Sequence, residues 1–514
     1  MSTTAIIILA LVVVVAVERF LAFRKLLASV QYRPGFRTLL SVNGASSFFP
    51  RIPFISVGNS AFIDKYTSFE KFDSDIFNAL SLWPLEANFI LADPQAVKEV
   101  VGSRARFPKP IELYDALLIY GTNIVASEHE AWKRFRRISN PAFTEPNNRL
   151  VWDETVKIMN DLFNNVWGNQ KQVVTDNALH ITMPIALFVI GAAGFGRRLA
   201  WNDEMAPPAG HRITFKAGDA LYTVSESIPT RMLAPRWATY FLPHVKKVFE
   251  AFDELGVYMQ EMVTSRRNAE VKEERYDLLS SLLDASEGDA QLTDAELIGN
   301  IFVFLVAGHE TTAHTLCFAL GLLALYPDEQ ERLYQEVIKA VPKDRDPIFQ
   351  DMASLDYVIC VLSETLRIFP PVIGIPKFAA EDCTLTTTNN NGDKVTLAIP
   401  KGSGINIDTV GLHNNPKYWD EPEAFKPSRF MGDWPRDAFL PFSGGVRSCI
   451  GRRFAELESV VVMAMLVKKY KITVKDEPQF AHETFEEKKA RVLKTKNGLT
   501  LTPAKTSLVF TLRE

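Results

Sequence analysis

One cysteine, Cys449, stands in the glycine-rich stretch FSGGVRSCIG (Phe442 to Gly451), between an aromatic residue and an arginine. The amphipathic run RRFAELESVVVMAMLVKKY follows it. The thiol therefore lies just ahead of a helix N-terminus, where the dipole and free N–H groups favour a thiolate. A thiolate is the form of cysteine that acts as nucleophile or metal ligand. A structural, buried cysteine would leave Gly444, Gly445 and Arg447 unexplained, whereas glycines let the backbone approach the sulfur closely. Cys317 and Cys360, on apolar helix faces, fit the structural role, and Cys383 is left unassigned.

A second set lies in AGHETT, Ala307 to Thr312. A glycine within a helix costs about 1 kcal/mol relative to alanine, and a buried acid costs more unless it is paired. Gly308, Glu310 and Thr311 thus mark a place where a helix tolerates a defect, while His309 alone reads as an exposed polar position. Ala307 and Thr311, four apart, share a face with Val303 and Asn300, a face suited to lining a pocket. In SETLRIFPP, Glu364 and Arg367 stand three apart among apolar residues. A half-buried pair of this kind needs a further partner, such as Arg429 in FKPSRF.

These residues need long helices to hold them. Thr293 with Glu296 three residues on forms a capping box, and the apolar pattern then continues to a stop at Pro327, a helix far longer than the average of about 11 to 12 residues. Strand patterns are few. CTLTTT and VTLAI flank NNNGDK as a hairpin, and Leu499 to Pro503 with Ser507 to Leu512 read as a small sheet near the C-terminus. The fold class is mainly α with a minor β portion.

The chain has 514 residues without a Gly/Ser-rich or Pro-rich linker. It is 47% hydrophobic and 23% charged, with a net charge of -4, which describes an ordered globular protein with no basic surplus for nucleic acid. Four dispersed cysteines and no N-x-Ser/Thr sequon fit a reducing compartment. At the N-terminus, Ala5 to Val17 is an unbroken apolar run followed by Arg19, Arg24 and Lys25. A cleaved signal peptide carries its charge before the run. Charge after it points to an uncleaved signal anchor with the downstream body in the cytosol.

FSGGVRSCIG matches every defined position of the haem-binding signature of the cytochrome P450 family, and the chain resembles that family from about residue 30 to its end. AGHETT resembles the oxygen-activation motif of the family's long central helix, ETLR its Glu-x-x-Arg pair, FKPSRF its Pro-x-Arg-Phe segment, and WKRFR (Trp132 to Arg136) its Trp-x-x-x-Arg. The phrase AGHETTAHTLCFALGLLALYPDEQERLYQEV is similar to membrane-bound fungal members, particularly basidiomycete ones. Two positions depart from the pattern: Ser428 stands where glutamate is common, and Lys377 where many members carry arginine.

The resemblance implies a cytochrome P450 fold, a helical bundle around buried haem, with residues 1–27 as membrane anchor and 28–514 as catalytic domain. It implies haem b ligated by Cys449, with Phe442 and Gly445 shaping the turn, and propionates held by Trp132, Arg136, Arg447 and, as a point charge, Lys377. Glu310 and Thr311 would deliver protons, and Glu364, Arg367 and Arg429 would form a structural network. The implied activity is monooxygenation of a lipophilic terpenoid, sterol or fatty-acid-like substrate in secondary metabolism at the endoplasmic reticulum membrane, with NADPH-cytochrome P450 reductase as partner. Segments 108–127, 300–311, 372–376 and 497–499 would line the pocket, Asn300 adding one polar contact. Lys133, Arg134, Arg137, Arg452 and Arg453 would form the reductase's docking face. A haem-thiolate isomerase or peroxide-driven enzyme, and a non-enzymatic haem-binding protein, remain as alternatives at this point.

Overall fold

The computed structural model describes residues 3–43, 50–58, 61–168, 170–199, 201, 220–268, 277–287 and 292–513. Its main elements begin with α1 (Thr3–Ser29), β1 (Gly35–Leu40), β2 (Ile76–Trp83), β3 (Glu86–Leu91), α2 (Pro94–Gly102), α3 (His129–Ser139), α4 (Glu145–Asp161), β4 (Gln172–Thr175) and α5 (Leu179–Val189). They continue with α6 (Pro243–Arg267), α7 (Asp294–Leu325), α8 (Asp356–Ile368), β5 (Gly374–Phe378), β6 (Cys383–Thr388), β7 (Lys394–Ile399) and β8 (Gly404–Asp408). The last are α9 (Arg452–Lys469), β9 (Tyr470–Val474), β10 (Thr495–Asn497), β11 (Leu501–Pro503) and β12 (Leu508–Leu512). Helix predominates, as expected. The chain forms two compact units, one of Met1–Leu113, Val372–Ala424 and Pro435–Cys449, the other of Tyr114–Pro371, Phe425–Trp434 and Ile450–Glu514.

The first unit holds a five-stranded mixed sheet in the order β1-β2-β3-β8-β5. The β6–β7 hairpin forms at NNNGDK, with Gly392 in the left-handed region at φ +86°, which glycine adopts without steric cost. α1 runs 27 residues, through Glu18 and Arg19 and past the apolar run itself, and none of it is buried. At 1.5 Å per residue it extends roughly 40 Å, enough to cross a hydrocarbon core of roughly 30 Å. Met1 and Ser2 of the expected anchor lie outside the described residues. Arg19 stacks 4.3 Å above the Trp83 ring, and beside it Leu39, Phe54 and Trp83 expose apolar surface.

In the second unit α7 carries the expected capping box: Thr293 Oγ1 accepts from the Glu296 amide at 3.2 Å, and Glu296 Oε2 accepts from the Thr293 amide at 2.9 Å. It spans 32 residues and is followed by Pro327 at the start of the next helix. The C-terminal strands differ from expectation, because they do not pair with each other. β11 folds back onto β10, whereas β12 lies between β4 and β9. Alternation along a strand marks its two faces but not its hydrogen-bonded neighbour.

Candidate functional site

The first unit carries the cysteine turn. The Cys449 amide donates to the Phe442 carbonyl at 2.9 Å, and the Ser448 amide to the Gly445 carbonyl at 3.1 Å, closing the loop just before α9. Cys449 is exposed, while Cys317 and Cys360 are buried and Cys383 is partly so. Burial pushes the Cys317 thiol up to about 12 and the Cys360 thiol up to about 11, so both stay protonated and inert. Phe442 and Arg447 are half-buried and Gly445 exposed; Lys377 is buried on β5, opposite Ile405 of β8.

Packing against α2 gives both glycines a reason. Gly445 adopts φ +63°, and a Cβ there would sit 2.3 Å from the Val101 carbonyl oxygen. At Gly444 a Cβ would come within 3.0 Å of Val101 Cγ2. Both therefore let the turn pack closely on α2.

The second unit carries the other residues. On α3, Trp132 is buried and Arg136 half-buried, with Lys133 and Arg137 turned to solvent, as the i, i+4 spacing dictates. Arg134 is not on that solvent face. Half-buried, it forms an ion pair with both carboxylate oxygens of Glu296, in the first turn of α7. Lys133 pairs with Glu130 at 2.6 Å, and Arg452 and Arg453 share Glu456.

From Gly299 to Leu323, α7 is buried except at Ala307, Gly308 and Thr311, so its open patch is the Ala307–Thr311 face. Thr311 Oγ1 donates to the Ala307 carbonyl at 2.8 Å. The helix is continuous here, and Gly308 serves packing: a Cβ would meet Ile190 Cδ1 at 3.0 Å. His309 is 2% exposed, contrary to expectation. At 100° per residue it points about 200° away from Ala307, into the packed side of the helix. Burial first, then the nearby His314, lowers its pKa to about 3, so it stays neutral. Asn300 is also committed elsewhere, its Oδ1 accepting from the Ile124 amide at 3.0 Å and its Nδ2 donating to the Glu296 carbonyl at 2.8 Å.

Glu310 is buried and accepts a hydrogen bond from Thr500 Oγ1 at 2.7 Å; the same oxygen lies 2.9 Å from His314 Nδ1. Sequence reasoning missed Thr500 and His314. Thr500 is 190 residues from Glu310, and a threonine in a short turn carries no local mark of such a partner. The Glu364–Arg367 pair is fully buried, with Arg367 donating through Nε at 2.7 Å, and Arg429 Nε joins at 3.0 Å, the partner expected.

Among known proteins, the family model described as Cytochrome P450 matches residues 50–502. Cytochrome P450 monooxygenase 124 of Postia placenta is 49% identical over 520 residues, covering 100% of both chains. Cyclooctat-9-en-7-ol 5-monooxygenase of Streptomyces melanosporofaciens is 28% identical, covering 75% of this chain and 80% of its own. The crystal structure of the cytochrome P450DA heme domain superposes with a TM-score of 0.72 at 22% identity, covering 89% of this chain and 94% of its own, a likeness of fold.

Proposed function

The chain belongs to the cytochrome P450 family of haem-iron monooxygenases, and from that premise we propose that it oxygenates a lipophilic substrate of terpenoid, sterol or fatty-acid type in secondary metabolism, drawing electrons from NADPH through a cytochrome P450 reductase. The observation that carries the reading is Cys449. It is exposed, tied by its amide to Phe442, and placed before the N-terminus of α9, which suits a thiolate ligand. Bound haem supplies the activation of dioxygen, one atom entering the substrate and the other leaving as water.

Around it the chain's own groups have distinct tasks. Cys449 would ligate the iron and donate electron density to it. Phe442 and Gly445 set the turn, while Trp132, Arg136 and Arg447 would hold the propionates, with Lys377 offering a compact charge without a bidentate fork. The Thr311 hydroxyl, at rest on the Ala307 carbonyl, and the Glu310 carboxyl would hold and pass protons toward the open face of α7. Glu364, Arg367 and Arg429 would brace the fold.

A lipophilic substrate is supported by the apolar composition of the NIFVFLVAG stretch of α7 and by the relative named cyclooctat-9-en-7-ol 5-monooxygenase. The length and exposure of α1 support residues 1–27 as a single-pass anchor in the endoplasmic reticulum membrane and 28–514 as a cytosolic catalytic domain. Expression with a reductase in a host fed terpenoids and sterols tests the proposal. A product heavier by one oxygen and dependent on NADPH is expected; turnover that peroxide supports and NADPH with reductase does not, or isomerised product, would point to the other haem-thiolate chemistries.

A further inference from the structure

Thr500 occupies the turn between β10 and β11, and its hydroxyl bridges two buried side chains of α7 that stand one helical turn apart, Glu310 and His314. A hydroxyl has one hydrogen to give and lone pairs to receive with. When Glu310 is a carboxylate, Thr500 donates to Oε1, and a neutral His314 donates Nδ1–H to the Thr500 oxygen. With Glu310 protonated, its O–H donates to Thr500, and Thr500 donates to a bare Nδ1 of the other neutral tautomer. Thr500 and His314 keep one hydrogen each in both arrangements, the His314 hydrogen standing on Nδ1 in the first and on Nε2 in the second: a proton taken up at Nε2 releases the Nδ1 hydrogen to Thr500 and the Thr500 hydrogen to Glu310, so the net gain or loss is on Glu310.

We propose that Thr500 and His314 are positioning residues for Glu310, a buried relay that matches the carboxyl in both charge states so that it can release and recover a proton without moving. This deepens the reading of Glu310 given above and rests on it. An isolated buried acid would be matched in one charge state and mismatched in the other. His314 is a neutral imidazole in both arrangements, because burial, opposed by the Leu501 backbone and aided by Lys496, lowers its pKa to about 4. Among the described residues, His309 on α7 and Lys496 on β10 are titratable groups near the relay.

The test uses the full-length holoenzyme with its reductase and compares Thr500→Val, Thr500→Ala, Thr500→Ser and His314→Phe. The ferrous–carbon monoxide band reports haem binding in each, and two further readouts follow: product formed per NADPH consumed, and titration of the Glu310 carboxyl by infrared difference spectroscopy, assigned with Glu310→Gln. Loss of a donor to the charged form raises an acid's pKa, so valine and alanine should move the Glu310 titration up by about one to two pH units and lower coupling several-fold. His314→Phe should act in the same direction and serine should restore both readouts. Wild-type coupling and titration in haem-replete Thr500→Ala or Thr500→Val, with Glu310→Gln uncoupled, would overturn the relay alone. Wild-type coupling in Glu310→Gln itself would overturn the proton role of Glu310 and the relay with it.

Discussion

Arg429 reaches Glu364 across 65 residues of chain and places its Nε 3.0 Å from the oxygen Oε1, which also accepts the Lys426 amide at 2.9 Å. Glu364 thus holds Arg367 and Arg429 together in one ion cluster, of which Glu364 and Arg367 are fully buried and Arg429 is largely so.

Removing the acid takes a carboxylate partner from two cations. Breaking one partner of a buried pair costs about 3–5 kcal/mol, because the remaining charge stays desolvated. Glu364→Ala should lose stability on that scale and release haem at lower temperature, whereas Glu364→Ala with Arg367→Met should lose less. Thermal unfolding followed by Soret absorbance measures both, and a single variant within about 0.5 kcal/mol of wild type would contradict the cluster's role.

Glu458 on α9 is fully buried, with neither carboxylate oxygen hydrogen-bonded among the described residues, and burial raises its pKa well above 4.5. The folded state therefore holds a proton that the unfolded state releases. Stability falls as pH rises above about 4.5 until the folded pKa is passed, then levels. Glu458→Gln removes this dependence. Thermal midpoints from about pH 5 to pH 8 should show the wild type losing ground to the variant as pH increases; parallel profiles would contradict the buried, protonated carboxyl.

The docking face needs revision from the sequence expectation, since Arg134 is engaged with Glu296 in the cap of α7. Reversing Arg134 would place two acids together and damage that cap. The sharper variant is Lys133→Glu with Arg137→Glu, at two exposed positions of α3. Reductase-supported turnover should fall several-fold at low salt, and the gap to wild type should narrow as salt screens the surface. Peroxide-supported turnover should be unchanged. Equal loss of both activities would show that these residues support the fold and do not dock the reductase.

Features built from near neighbours were readable in the sequence. The Thr293–Glu296 box, the hairpin at Gly392 and the Glu364–Arg367 pair each depend on residues within a few positions, so spacing and chemistry suffice. Features set by distant packing were not. His309 is buried because α7 is enclosed on nearly every side, Gly308 is small because of Ile190, and Gly445 is left-handed because α2 lies against it. Strand alternation at Leu501 and Leu508 showed strands but gave no sign that they join separate sheets. Thr500 became visible only when the fold brought β11 beside α7.

None of the 27 residues of α1 is buried, as a membrane anchor requires. Deleting residues 1–27 should shift the protein from the membrane fraction to the soluble fraction with its haem retained. A truncated protein that stayed wholly with membranes would show that the body binds lipid by itself, through surfaces such as Phe54, or that α1 is no anchor.

The central claim is that Cys449 is the iron ligand. The ferrous–carbon monoxide spectrum reports it directly, since the red-shifted Soret band requires a thiolate. Cys449→Ser should lose that band, while Cys317→Ser, Cys360→Ser and Cys383→Ser should each keep it. A red-shifted band that persists in Cys449→Ser would contradict the account.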